Sequence, residues 1–139
     1  MWIFTKYGFV SIVKYKQIHN VRARLEGDIP RLFAAAGLPK PEIKVFEFAD
    51  YAYRAELSQE QLTQLMVFLA SDNDYSNFKG IAERNLKNEQ NGPEYVDALH
   101  GVWDIMYNLQ SSARAIAKRW NTGSEFIADV FNKLWFCDM

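Results

Sequence analysis

Hydrophobic and polar positions change their period once along the chain. Up to Leu57 the apolar residues come in short runs or alternate with polar ones, as in strands; from Ser58 onward they recur at helical spacing. Residues 2–7 and 9–15, rich in Trp, Ile, Phe, Val and Tyr, predict two strands, with Gly8 between them free to take the positive φ of a tight hairpin. Val21 to Leu25 alternates, with Val21, Ala23 and Leu25 on one face and Arg22 and Arg24 on the other.

A short helix follows, opened by Gly27-Asp28, with Asp28 as its cap and Ile29, Leu32 and Phe33 as its apolar stripe. Gly37 ends it, and Pro39 and Pro41 keep the next loop extended. Ile43–Phe48 and Tyr51–Leu57 predict two further strands around Ala49-Asp50. Phe46 and Phe48 share one face of the first; Tyr51, Tyr53, Ala55 and Leu57 share one face of the second, opposite Arg54 and Glu56.

Ser58 and Gln61 form the sequence signature of a capping box, ahead of a stripe of Leu62, Leu65, Met66 and Leu69. Ser71–Tyr75 breaks that helix, and a shorter one is expected from Ser76 to about Leu86. The polar stretch from Lys87 to Gly92 reads as a loop. Pro93 suits the first position of the longest helix, whose spacing continues to Trp120 before Asn121-Thr122-Gly123 stops it. Ser124 then caps a last helix striped with Phe126, Ile127, Val130, Phe131, Leu134 and Trp135.

This order predicts an α+β fold: an N-terminal β-hairpin joined to a β-α-β-β-α ferredoxin-like core, with a C-terminal helical extension. A chain of 139 residues suits a single domain, 1–139. Within it, 1–57 is mostly sheet with one helix, 58–110 a helical layer and 111–139 the extension. The 15% aromatic content excludes a disordered linker.

Several strings carry a resemblance. Met1-Trp2-Ile3-Phe4-Thr5 and Gly8-Phe9-Val10-Ser11-Ile12-Val13 come first, then Val21-Arg22-Ala23-Arg24 and Asp50-Tyr51-Ala52-Tyr53-Arg54. Asp74-Tyr75-Ser76-Asn77-Phe78-Lys79 and Val102-Trp103-Asp104-Ile105-Met106 complete the set. On these residues the chain resembles a family of small uncharacterised bacterial proteins over about residues 1–110. The resemblance implies a bacterial or phage-like protein and carries no activity with it.

Scarce residues limit the chemistry. One cysteine, Cys137, cannot close an intrachain disulfide, which fits a reducing compartment, and two histidines, His19 and His100, exclude a three-histidine site within the chain. The longest apolar run, Leu65 to Ala70, is far short of a membrane span, and Lys6 interrupts any signal-like start, so a cytoplasmic location away from membranes is expected. The net charge of −1 argues against nucleic-acid binding by bulk electrostatics. The halves differ, however: the chain is net +3 through Leu57 and net −4 beyond it.

Four clusters are candidates for function. Arg22, Arg24 and Arg54, near Tyr51 and Tyr53, would fork onto a phosphate or carboxylate if their strands are neighbours; the plain alternative is cross-strand pairing with Glu26, Glu47 or Glu56. Asp72, Asp74, Ser76 and Glu83 follow part of a calcium-loop pattern, but Asn77 and Lys79 stand where it wants glycine and an apolar residue. Asp97, His100 and Asp104 share one side of the long helix, as a weak catalytic or metal-holding trio or as a surface ion pair. The stripe Phe126, Ile127, Val130, Phe131, Leu134 and Trp135 must be buried by its own domain, a second copy or a partner.

No Walker loop, dinucleotide fingerprint or nucleophile elbow is present. The residues therefore favour a non-catalytic binding or protein–protein interaction protein, a homo-oligomer or the partner of another protein, with inhibition or regulation of a host factor as a special case. No cofactor and no metal is expected. A small nucleotide- or RNA-binding domain using the arginine face is the first alternative, less favoured; a metal-dependent enzyme around His100 is the second.

Overall fold

The structure, a computed structural model, describes residues 1–89 and 91–121, with side chains described through residue 110. Three strands follow one another from the N-terminus: β1 (Trp2–Thr5), β2 (Gly8–Tyr15) and β3 (Ile18–Ala23). The first turn is Lys6-Tyr7, held by Thr5, whose hydroxyl donates to Gly8 O (2.9 Å) and accepts from Tyr7 N (3.1 Å). Gly8 is thus not the turn residue but the first residue of β2, paired with Thr5. Its φ is +143°, and a Cβ there would lie 2.5 Å from Asp28 Oδ1, so glycine is required for the close approach of that carboxylate. The second turn is Lys16-Gln17, with Lys16 at φ +54° and Tyr15 paired to Ile18.

Helix α1 (Asp28–Ala35) comes next, then β4 (Lys44–Val45), β5 (Tyr53–Leu57), α2 (Gln59–Ser71), α3 (Phe78–Leu86) and α4 (Gly92–Asn121). Asp28 does not cap α1. The cap position is Gly27 without a side-chain bond, because the Asp28 carboxylate turns inward to Phe9 N and Arg31. Gly37 takes the left-handed conformation after the helix (φ +65°) as expected. The capping box of α2 is complete: Ser58 Oγ accepts from Gln61 N, and Gln61 Oε1 accepts from Ser58 N.

The α+β class is as expected: five antiparallel strands and, among the described residues, four helices. The ferredoxin-like arrangement is not what the strand order gives. That order is β1-β2-β3-β5-β4, so the N-terminal strands form a meander rather than a hairpin beside a separate core. Helix α2 is followed by α3 and α4, with no returning strand among the described residues. The strand expected over Ile43–Phe48 shrinks to two residues on the sheet edge. Phe46 N still donates to Ala52 O, but the chain then turns, and Phe48 is fully exposed.

The core lies on one face of the sheet. Val10, Ile12, Val21, Ala23, Ala55 and Leu57 point to that face and pack with Ile29, Leu32, Phe33, Leu38 and Leu65 from α1, the segment after it and α2. Contacts divide the chain into two compact units, Met1–Val96 and Asp97–Met139. Among the described residues no helix is long and apolar enough to cross a membrane.

Candidate functional site

The opposite face of the sheet holds a different set of side chains. Alternation along each strand sends outward the residues that the core does not take. Strand register then brings five of them into one transverse row. Trp2 pairs with Ser11, Ser11 with Arg22, Arg22 with Arg54, and Arg54 with Lys44. Each strand contributes one residue, and three adjacent strands contribute a cation.

The arginines are fixed by polar and aromatic contacts. Arg22 Nη2 donates to Ser11 Oγ (2.9 Å), and its guanidinium lies over the Tyr51 ring at 4.8 Å. Arg24 lies over the same ring at 4.9 Å and donates from Nε to Asp50 O (3.3 Å). Arg54 donates from Nε to Tyr51 O (3.2 Å) and lies over the Phe46 ring at 4.6 Å. The structure therefore brings Arg22, Arg24 and Arg54 together, as their candidacy required.

It also corrects the placement of Tyr51. That residue precedes β5, so strand alternation does not govern it. Its ring joins the arginines, whereas Tyr53 packs against the core. The local turn explains this: Tyr51 N donates to Asp50 Oδ1 (2.9 Å), which sets the backbone before the strand begins.

Glu26, Glu47 and Glu56 form no ion pair with the three arginines. Glu56 accepts from Lys44 (2.7 Å), which raises the lysine's pKa. Among the described residues no carboxylate lies within ion-pair distance of Arg22, Arg24 or Arg54. Arg22 Nε and Tyr51 Oη are, moreover, buried without a hydrogen-bond partner. Like charges directly opposite in a sheet are unfavourable, and no carboxylate offsets the repulsion within the Arg22–Arg54 pair.

An aromatic cluster borders the row. Phe4 and Phe9 stack at 4.5 Å, Trp2 meets Phe9 edge-on at 6.0 Å, and Tyr51 is 6.3 Å from Phe9. Beside the arginines runs an open groove of about 430 Å³, lined by Val13, Asn20, Arg22, Lys44, Phe46 and Arg54 among others. Trp2, Phe4, Phe9, Ser11 and Lys44 were not among the sequence candidates. Alternation in the first two strands would have put Trp2, Phe4, Phe9 and Ser11 on one face, but not beside Arg22.

A second cluster looks reactive and is structural. Arg31 lines a polar cleft of about 290 Å³ with Arg24, Glu26, Tyr53 and Glu89. Each of its nitrogens already donates: Nε to Tyr7 O (2.9 Å), Nη1 to Glu89 (2.8 Å), Nη2 to Asp28 (2.6 Å). Burial pushes the Asp28 carboxyl up to about 6, against the opposing pull of Arg31 and the Phe9 N–H. The Tyr95 hydroxyl is buried without a partner; burial, and secondarily the Asp28 charge, raises its pKa.

The remaining candidates fare differently. Asp72 holds the Lys6 ammonium at 2.9 Å and accepts from Tyr7 Oη (3.2 Å), so Lys6 supplies the positive charge a calcium ion would bring. His100 is half-buried on α4, with Asp97 and Asp104 exposed, and among the described residues no group of three or more His, Cys, Asp or Glu is arranged to hold a metal. Phe126, Ile127, Val130, Phe131, Leu134 and Trp135 lie outside the described residues. No protein-family model, curated protein or solved structure matches the chain.

Proposed function

We propose that this is a non-catalytic binding protein whose outward sheet face recognises an anionic ligand. The observation that carries the reading is the Arg22–Arg54 pair: two guanidinium groups opposite one another in register, held over aromatic rings, with no carboxylate between them. Like charges directly opposite in a sheet are destabilising, and an anion bridging the two relieves that repulsion. Arginine suits the task because its planar fork matches the oxygens of phosphate or carboxylate. The rings beneath fix the guanidinium positions, which lowers the ordering cost on binding.

Retention of the full chain on a heparin column tests this. The wild-type protein should be retained at low salt and eluted by a salt gradient, and Arg22→Gln/Arg54→Gln should elute markedly earlier. Wild-type protein in the flow-through, or a double variant eluting with wild type, would overturn the reading.

A second reading concerns the other unit. Helix α4 exposes Val102, Ile105, Met106 and Leu109, which supports contact with a protein partner or a second copy. Light scattering checks it: a mass above the monomer supports self-association, and a monomer that captures no partner counts against the reading.

A further inference from the structure

We infer that the anionic ligand is a single-stranded nucleic acid lying across the β-strands, from the Trp2 edge to the Lys44 edge. This rests on the anion-binding reading of the same face. The five paired residues of the row define the path, because strand spacing sets their separation. Four gaps of about 4.8 Å place its ends roughly 19 Å apart. Its cations, Arg22, Arg54 and Lys44, are consecutive, so they match a repeating charge rather than one isolated anion.

The rings decide between polyanions. Trp2 at one edge is 68% exposed and Phe46 at the other is 46% exposed, both large π-surfaces open to a ligand. Sulfated sugars and acidic peptides carry no matching flat groups, and a duplex keeps its bases stacked inside. An unpaired strand presents phosphates and free base faces together, and bases stack on both aromatic rings and arginine planes. Arg54 and Phe46, 4.6 Å apart, line the same groove and so present a guanidinium and a ring side by side to a base. The groove beside it has the volume of a small-molecule site, about 300–1,000 Å³. Asn20 in its lining brings both a donor and an acceptor to a base edge. The length of the row corresponds to a short site, on the order of four nucleotides, the lower end for single-strand binders.

Fluorescence anisotropy of labelled RNA and DNA homopolymers, two to about eight nucleotides long, tests this with the full chain. Affinity should climb steeply to about four nucleotides and then level off. Trp2→Ala should weaken oligonucleotide binding by about fivefold or more, from the loss of stacking, without moving heparin retention; Phe46→Ala should weaken both, because its ring also holds Arg54. Trp2→Phe should restore most of the loss. Both positions are exposed, and circular dichroism of each variant checks that it folds. Binding that tolerates both alanine variants, a duplex or poly-glutamate bound as tightly as single strands, or affinity rising without a plateau would overturn the inference while heparin retention still upheld the anion reading. Failure to bind heparin and oligonucleotides alike would overturn both.

Discussion

Asp28 is a carboxylate in the core, 1% exposed, packed against Gly8 and held by Phe9 N–H and Arg31. Its folded value of about 6 lies above its ordinary 3.8 because burial penalises the charged form more than Arg31 favours it. Between those two values the folded chain binds a proton that the unfolded chain does not. This group's contribution to stability is therefore complete below pH 3.8 and is lost as pH rises through about 6. The full swing is about 3 kcal/mol, at 1.36 kcal/mol per unit. Glu89 and Tyr95 are the other titratable groups facing the cluster. Asp28→Asn removes the titration while keeping the shape. The Tm of the wild type relative to Asp28→Asn should accordingly rise as pH falls from about 8 to 5. A constant difference in thermal melts across that range would mean that Asp28 does not titrate there.

At the scale of elements, helix α2 begins where a local rule places it. Ser58 and Gln61 satisfy two backbone N–H groups reciprocally, so Ser58→Ala should cost about 1 kcal/mol, read as a lower urea midpoint with an unchanged slope. Signals of this local kind are legible in the sequence: the Ser58 cap, the left-handed Gly37 and the start of the long helix near Pro93. What escaped were turns without a glycine or proline marker and pairings set by distant strands. The turn at Lys16-Gln17 carries no glycine or proline, so nothing local marked the start of β3 at Ile18. The aromatic run from Ile43 to Phe48 read as a strand, yet only Lys44 and Val45 pair with β5 before the chain turns away. The side taken by Tyr51 depends on a turn made by Asp50. The candidate site divides in the same way. Alternation exposed Arg22 and Arg24 on one face, but that Arg22 faces Arg54, with Ser11 and Trp2 in the same row, follows from strand order and register, which period alone does not supply.

Considered as a whole molecule, the chain has almost no net charge, −1, so long-range attraction contributes little to meeting a polyanion. Any electrostatic affinity must come from the local row, and this makes its salt dependence countable. Three cations facing a single strand release about 0.7 counterion each, so the logarithm of affinity should fall against the logarithm of salt with a slope of about −2. Arg22→Gln or Arg54→Gln should each shallow that slope by about 0.7. Lys44 is a special case, because it already bonds Glu56 at 2.7 Å, and that bond must loosen for a phosphate to compete. Glu56→Gln should thus strengthen oligonucleotide binding at low salt and make the slope steeper, while Lys44→Gln should weaken binding and flatten it. The pair lies half in solvent, with side-chain exposures of 50% and 47%, so its removal should leave the melting temperature nearly unchanged. Anisotropy titrations across a salt series measure all four variants on one scale. Slopes that do not respond to any of them would detach the cation row from the bound strand and place the electrostatics elsewhere on the protein.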